Sequence, residues 1–280
     1  MIQGTYQVKP PLPFTPGFEL SGEVVEVGPG VEGIEPGQKV MAQCDTGAFA
    51  EYVVVPYVTV RPVPEGMTMH QAAAFPLVYQ TSYFGLAYRG QLRPDESVLV
   101  HSAAGGVGLA AVQIARAMGA GKIIGTAGSE AKLQAILDNG ADEAIDYETQ
   151  DFVPLVTQAT EGRGADVIYD PVGGQIGQRS TKCIAFEGRI VIVGFTSGEF
   201  TDFRSNHILI KNYSVVGLHW GFYRQMNPAK IEQGWHELMQ LYAGGGLTPH
   251  IGGTYPMENV AQAMKHLLAR KAVGKLVLHW

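Results

Sequence analysis

The sequence predicts an α/β protein: a parallel, doubly wound sheet with helices on both faces, joined to a smaller β-rich portion. Three observations predict it. Short apolar runs alternate with helical patterns from Ser97 onward. The stretch "HSAAGGVGLAAVQIARAMGA" (101–120) places a glycine turn between a strand and a helix. The first 75 or so residues are punctuated by proline and glycine at short intervals around β-type runs.

The β-rich part is expected to start with "ELSGEVVEVG" (19–28) and to include "GAFAEYVVVP" (47–56), as in a small barrel or folded sheet. The segment 67–90 reads as helical pieces around Pro76, and its simplest role is packing. Then "SVLVH" is a buried strand, residues 107–118 carry an apolar helix face with Arg116 toward solvent, and "KIIGTAG" (122–128) is a second strand. "SEAKLQAILDNG" (129–140) is a second helix ended by Gly140, after which "EAID", "GADVIYD" and "GRIVIVGF" continue the series. "YSVVGLHW" and a helix around residues 228–246 extend it, and the tail is a helix followed by a terminal strand. Right-handed crossovers place the strand C-terminal ends along one rim.

Composition narrows the function. With 280 residues, 46% hydrophobic and 16% charged, the chain can bury a substantial core. A net charge of −6 and the lack of a basic–aromatic stripe give no support to nucleic acid as a partner. No apolar run is long enough to span a membrane, and nothing resembles a signal peptide, so the cytoplasm is the expected location. Two cysteines, Cys44 in a turn and Cys183 on a buried helix, are too few for a disulfide framework or a cysteine zinc site.

The glycine turn is the clearest chemical signal. Helix N-terminal N–H groups favour a pyrophosphate, Gly105 allows close approach, and Gly108 permits tight helix–strand packing, with Gly106 and Val107 opening the helix between them. The usual first glycine is Ala103. The second strand ends in "TAGSEAK", where an NAD site would present an acidic residue. Gly128 and Ser129 leave room and Lys132 brings positive charge suited to a 2′-phosphate, with Glu130 a contrary sign. Read by themselves, Ser129 is equally an N-cap and Lys132 an ordinary surface lysine.

Together "PFTPGFELSGEVVEVG", "AAAFPLVYQTSY", "VLVHSAAGGVGLAAVQIARAMGA" and the terminal "GKLVL" resemble the zinc-free quinone oxidoreductase (zeta-crystallin-like) branch of the medium-chain dehydrogenase/reductase superfamily. The resemblance runs from about Gly4 to Leu278. It implies a Rossmann-type domain (79–246) inserted into a GroES-like catalytic domain (1–78 and 247–280), with NADP(H) in the cleft and a homodimer or homotetramer as the assembly. It assigns Gly128, Lys132, Tyr147 and Arg270 to the adenosine 2′-phosphate, and Thr81, Gly194 and Phe195 to further cofactor contacts. Tyr6 matches an active-site tyrosine, and Tyr79 is a further cleft candidate or a core residue. Members of this branch begin well before the tyrosine matched by Tyr6, which predicts a catalytic domain shortened at its N-terminus. Zinc-dependent relatives carry a histidine in a "GHE"-like motif; here the stretch is Gly17-Phe18-Glu19, so a metal is not expected.

The function this implies is NADPH-dependent reduction of quinones without a metal. Two alternatives stand beside it: a 2-alkenal, enone or enoyl-thioester reductase on the same fold, and an NADPH-binding protein without catalysis.

Overall fold

The computed structural model describes residues 9–280, which divide into two compact units: the described residues up to Leu77 together with Ile251–Trp280, and Val78–His250. Tyr6 lies outside the described residues. The first unit opens with strands β1 (Glu19–Glu23), β2 (Lys39–Gln43) and β3 (Val60–Pro62), which form an antiparallel sheet in that order. Helix α1 (Met69–Ala74) starts at a reciprocal cap: Thr68 Oγ1 accepts from the Gln71 amide and the Gln71 side chain accepts from the Thr68 amide. Helix α2 (Pro76–Tyr83) begins at the proline, whose missing N–H is harmless in a first turn, and runs into a π-helical turn, Phe84–Arg89.

Two expectations are corrected in this unit. The β run predicted over 47–56 forms no strand, and the run from Glu19 stops being regular after Glu23. β-branched and aromatic residues favour a strand only where another strand pairs with them. At 47–56 the chain turns through Gly47 (φ +110°) and leaves Tyr52 and Val54 exposed. Beyond Glu23, Val24 still exchanges backbone bonds with Gln38 and Gly37, an irregular continuation of the β1–β2 pairing.

The second unit follows the predicted alternation. Its elements are β4 (Ser97–Val100), α3 (Gly106–Ala117), β5 (Lys122–Ala127), α4 (Glu130–Asp138), β6 (Glu143–Asp146) and α5 (Phe152–Ala159). They continue as β7 (Ala165–Asp170), α6 (Gly174–Ser180), β8 (Ile184–Ile192), α7 (Ser205–Lys211), β9 (Ser214–Gly217), α8 (Trp220–Met226) and α9 (Pro228–Ala243). All six strands pair in parallel, in the order β6-β5-β4-β7-β8-β9. The chain therefore reverses its winding between β4 and β7, where open α/β sheets form a crevice at their C-terminal ends.

Leu99, Ile124, Ile168 and Ile190 from four neighbouring strands pack with Phe152 and Val156 of α5 in one fully buried cluster. Helix α3 is buried continuously from Gly108 to Ala115, as a helix flanked on all sides must be, and Arg116 emerges to pair with Asp142 at 2.5 Å. Cys183 is buried as expected, but in the turn between α6 and β8 rather than on a helix.

The first unit resumes with β10 (Ile251–Pro256), α10 (Val260–Leu268) and β11 (Lys275–His279), where β10 and β11 pair in parallel. Among the described residues, no helix is long and apolar enough to cross a membrane.

Candidate functional site

The turn that follows β4 lies at the switch point and is held by the strands on either side of it. The His101 amide donates to Tyr169 O on β7, and the Ala103 amide donates to Thr126 O on β5. Ser102 adopts φ +49°, an uncommon conformation for a residue with a side chain. The methyl of Ala103 fits because its neighbour is bare: a Cβ on Gly125 would sit 2.9 Å from it. That bare position on β5 leaves room for an alanine at the motif's first position.

The two principal glycines have different roles. A Cβ on Gly108 would lie 2.4 Å from Ser102 O and 2.6 Å from Ala103 Cα, so Gly108 is required by packing inside the protein. A Cβ on Gly105 would meet Ser102 O at 3.4 Å, an ordinary contact, so nothing in the protein itself demands glycine there. Gly105, Gly106 and Val107 are half-buried, whereas Gly108 is buried. Gly105 is the N-cap of α3 and offers no side chain to the first amides. Those amides have no intrahelical acceptor, and with the helix dipole they make an anion site over a bare residue. A pyrophosphate fits this arrangement.

Thr81 belongs to α2, beside a residue that ties α2 to the glycine helix: Ser82 donates to Val107 O at 2.8 Å and lies 3.0 Å from the Tyr169 hydroxyl. Tyr79 is a core residue, not a cleft residue. It is 2% exposed and donates to Gln113 Oε1 at 2.7 Å, with burial holding its phenol far above the ordinary range.

At the end of β5 the structure brings Gly128 and Tyr147 together. A Cβ on Gly128 would lie 3.0 Å from the Tyr147 ring carbon Cζ and hydroxyl, and 3.0 Å from Cγ of Glu148. Ser129 is the N-cap of α4, yet its hydroxyl makes no capping bond; its carbonyl accepts from Lys132 and Leu133. Lys132 stands in the first turn of α4, half-buried, and Glu130 begins the same helix, where a carboxylate suits the dipole. Arg270 is in the other unit, exposed just beyond α10 with φ +56°. Gly194 and Phe195 lie in the loop after β8, which bonds to the loop after β7 through Val193–Asp170, Thr196–Pro171 and Ser197–Val172. Phe195 meets Phe200 edge to face at 4.7 Å and packs on Gly173, where a Cβ would lie 2.6 Å from its ring.

Sequence reasoning passed over His101, which is fully buried beneath the turn. Its Nδ1 is 3.1 Å from the Thr126 hydroxyl and its Nε2 is 2.8 Å from the Ser180 hydroxyl. Its ring edge meets Phe152 at 4.9 Å. Burial lowers its pKa to about 4, partly opposed by the Asp170 carboxylate and aided by Arg179. The only sequence signal was its place at the end of β4.

Glu19 of the "GFE" stretch has both oxygens engaged: Oε1 accepts from Lys275 Nζ at 2.6 Å and Oε2 from the Leu77 amide at 2.8 Å. Among the described residues, no three His, Cys, Asp or Glu side chains cluster as metal ligands would.

Residues 106–241 match the zinc-binding dehydrogenase family, and residues 1–65 match the alcohol dehydrogenase GroES-like domain. A quinone oxidoreductase-like protein 2 homolog from Nematostella vectensis is 38% identical over 278 residues, covering 99% of this chain and 76% of the relative. The chain belongs to the medium-chain dehydrogenase/reductase superfamily, with the quinone oxidoreductase-like proteins as its relatives. Among solved structures, Escherichia coli quinone oxidoreductase complexed with NADPH superposes with a TM-score of 0.88 at 32% identity, covering 97% of this chain and 84% of the other. The enoyl reductase CurK superposes with a TM-score of 0.85 at 29% identity, covering 95% and 80%. Membership agrees with the 3-2-1-4-5-6 sheet order and the separate small antiparallel sheet.

Proposed function

We propose that this protein is an NADPH-dependent, metal-independent reductase of quinones. The observation that carries the reading is the uncapped N-terminus of α3 over Gly105, at the switch point of a sheet shared with NADPH-complexed quinone oxidoreductase. The amides of Gly106, Val107 and Gly108 hold the pyrophosphate, with Gly105 keeping the approach open. Gly128, Ser129, Lys132 and Tyr147 hold the 2′-phosphate: Lys132 supplies charge, Tyr147 and Ser129 supply hydroxyls. Thr81 makes a further cofactor contact, and Gly194 and Phe195 line the nicotinamide side.

NADPH, when bound, supplies the reducing equivalent as hydride. The work of the chain is to orient the ring and exclude water from it, and Phe195 offers an apolar surface for that purpose. A quinol product is a stabilised anion and needs no strong acid at the moment of reduction, so Tyr6, or water held by it, suffices to deliver a proton afterwards.

The test is the initial rate of NADPH oxidation when a simple para-quinone is added to the purified chain, against enzyme-free and quinone-free controls. Saturable, protein-dependent oxidation supports the reading, and a rate equal to the controls with folded protein refutes it. The similarity to an enoyl reductase supports a second reading, reduction of an enone or enoyl thioester. Turnover of such a compound in preference to the quinone selects it. Tight NADPH binding without turnover of either identifies a non-catalytic binder.

A further inference from the structure

His101 is an imidazole placed directly beneath the glycine turn, and its hydrogen bonds determine its protonation. The Ser180 hydroxyl donates its single proton to Ile176 O at 2.8 Å, so it can only accept from the ring. Nε2, 2.8 Å away, is therefore the protonated nitrogen. The buried ring is neutral at physiological pH, which leaves Nδ1 as an acceptor for the Thr126 hydroxyl at 3.1 Å. One imidazole thus joins three elements: the end of β4, the end of β5 through Thr126, and α6 through Ser180.

Thr126 is bonded twice to the same turn. Its hydroxyl donates to His101, and its carbonyl accepts from the Ala103 amide at 2.9 Å. Two residues further on, Gly128 lies against the Tyr147 hydroxyl, and the Tyr147 amide donates to Ala127 O. Between His101 and Gly105 the chain passes through the left-handed Ser102, a conformation that persists only when its surroundings over-determine it.

We infer that His101 is a positioning residue for the dinucleotide: through Thr126 it fixes the spacing between the pyrophosphate turn at 102–106 and the 2′-phosphate group at Gly128 and Tyr147, and so contributes to preference for NADPH over NADH. The inference rests on the proposed NADPH function. NADPH engages both ends of this spacing, whereas NADH lacks the phosphate that engages the second. Loss of the link therefore weakens NADPH more than NADH.

The test compares dissociation constants for NADPH and NADH, by nicotinamide fluorescence, in the wild-type chain and in T126V, T126S and S180A. T126V removes the donor to Nδ1 at nearly constant shape, and T126S keeps it. The expected result is an NADPH affinity about tenfold weaker in T126V, the size of one well-made buried hydrogen bond, with a loss for NADH of less than about threefold. T126S keeps the wild-type preference. Nitrogen NMR of the His101 ring at pH 7 supplies a second readout on the unmodified protein, and it shows a neutral ring protonated at Nε2. S180A loses that fixed Nε2 tautomer.

Equal losses for the two nucleotides, or an unchanged NADPH affinity in folded T126V, overturn the inference. So does a His101 ring whose Nδ1 resonance shows no hydrogen bond in the wild-type protein, which decides the matter even if T126V does not fold. If the wild-type chain binds no NADPH, the proposed function fails first and takes the inference with it.

Discussion

Glu19 and Lys275, 256 residues apart in sequence, form an ion pair at 2.6 Å with the carboxylate side chain only 8% exposed. The second carboxylate oxygen accepts from the Leu77 amide, so one glutamate joins β1, the start of α2 and β11 within the same unit. Its position in "GFE" has a structural use, and that use occupies both of its oxygens.

Removing this carboxylate leaves an ammonium and a half-buried amide without their acceptor. E19A is expected to lose about 3 kcal/mol of stability, and E19Q less, because an amide oxygen still accepts one bond. Urea unfolding of the three proteins checks the order, and an E19A midpoint equal to wild type would disprove it.

Gly105 and Gly108 should separate under substitution by alanine. G108A forces a methyl to 2.4 Å from Ser102 O and is expected to destabilise by about 2 kcal/mol or more. G105A meets only an ordinary contact, and Gly105 has φ −78°, which alanine adopts without strain. It should melt close to wild type while binding NADPH at least about tenfold more weakly, since the methyl occupies the space over the helix amides. Melting curves and nucleotide titrations on both variants make the comparison. Equal behaviour of the two would contradict it.

Stability should fall in mild acid because of His101. The unfolded imidazole takes up a proton near pH 6.5, whereas burial keeps the folded one neutral down to about pH 4. The contribution is fully present above pH 6.5 and is lost as the pH falls from 6.5 toward 4, up to about 3 kcal/mol. An H101F variant should show a shallower loss over this window than wild type. Parallel curves would show that His101 is not the group responsible.

Both thiols should be silent in the native protein. Burial pushes the Cys183 thiol up to about 12, and Cys44 is buried with its sulfur donating to Gly17 O at 3.5 Å. An aromatic disulfide reagent at pH 8 is expected to release little colour until denaturant is added, and then two equivalents. Fast reaction of the folded protein would count against the burial of one of them.

What the sequence made legible was local. The β4–turn–α3 unit follows from "SVLVH", three glycines and an apolar run too continuous for a surface helix, and the parallel order follows from the alternation after it. The expected strand at 47–56 failed because alternation shows that a segment could pair, not that a partner lies beside it. Tyr79 was ambiguous because its partner Gln113 is 34 residues away on α3. His101 was missed for the same reason: Thr126 and Ser180 lie 25 and 79 residues distant, and only the folded sheet brings them to one ring. Gly128 and Tyr147 were assigned to one phosphate by family resemblance alone, because their proximity across the ends of β5 and β6 spans nineteen residues of sequence and is visible only in the fold.

The most direct test of the central claim is a calorimetric titration of the purified chain with NADPH and, separately, with NADH. The predicted result is one NADPH site per chain, bound at least about tenfold more tightly than NADH, with the difference abolished in K132A. Equal affinities, or tighter binding of NADH, would contradict the assignment of Gly128, Ser129, Lys132 and Tyr147 to a 2′-phosphate.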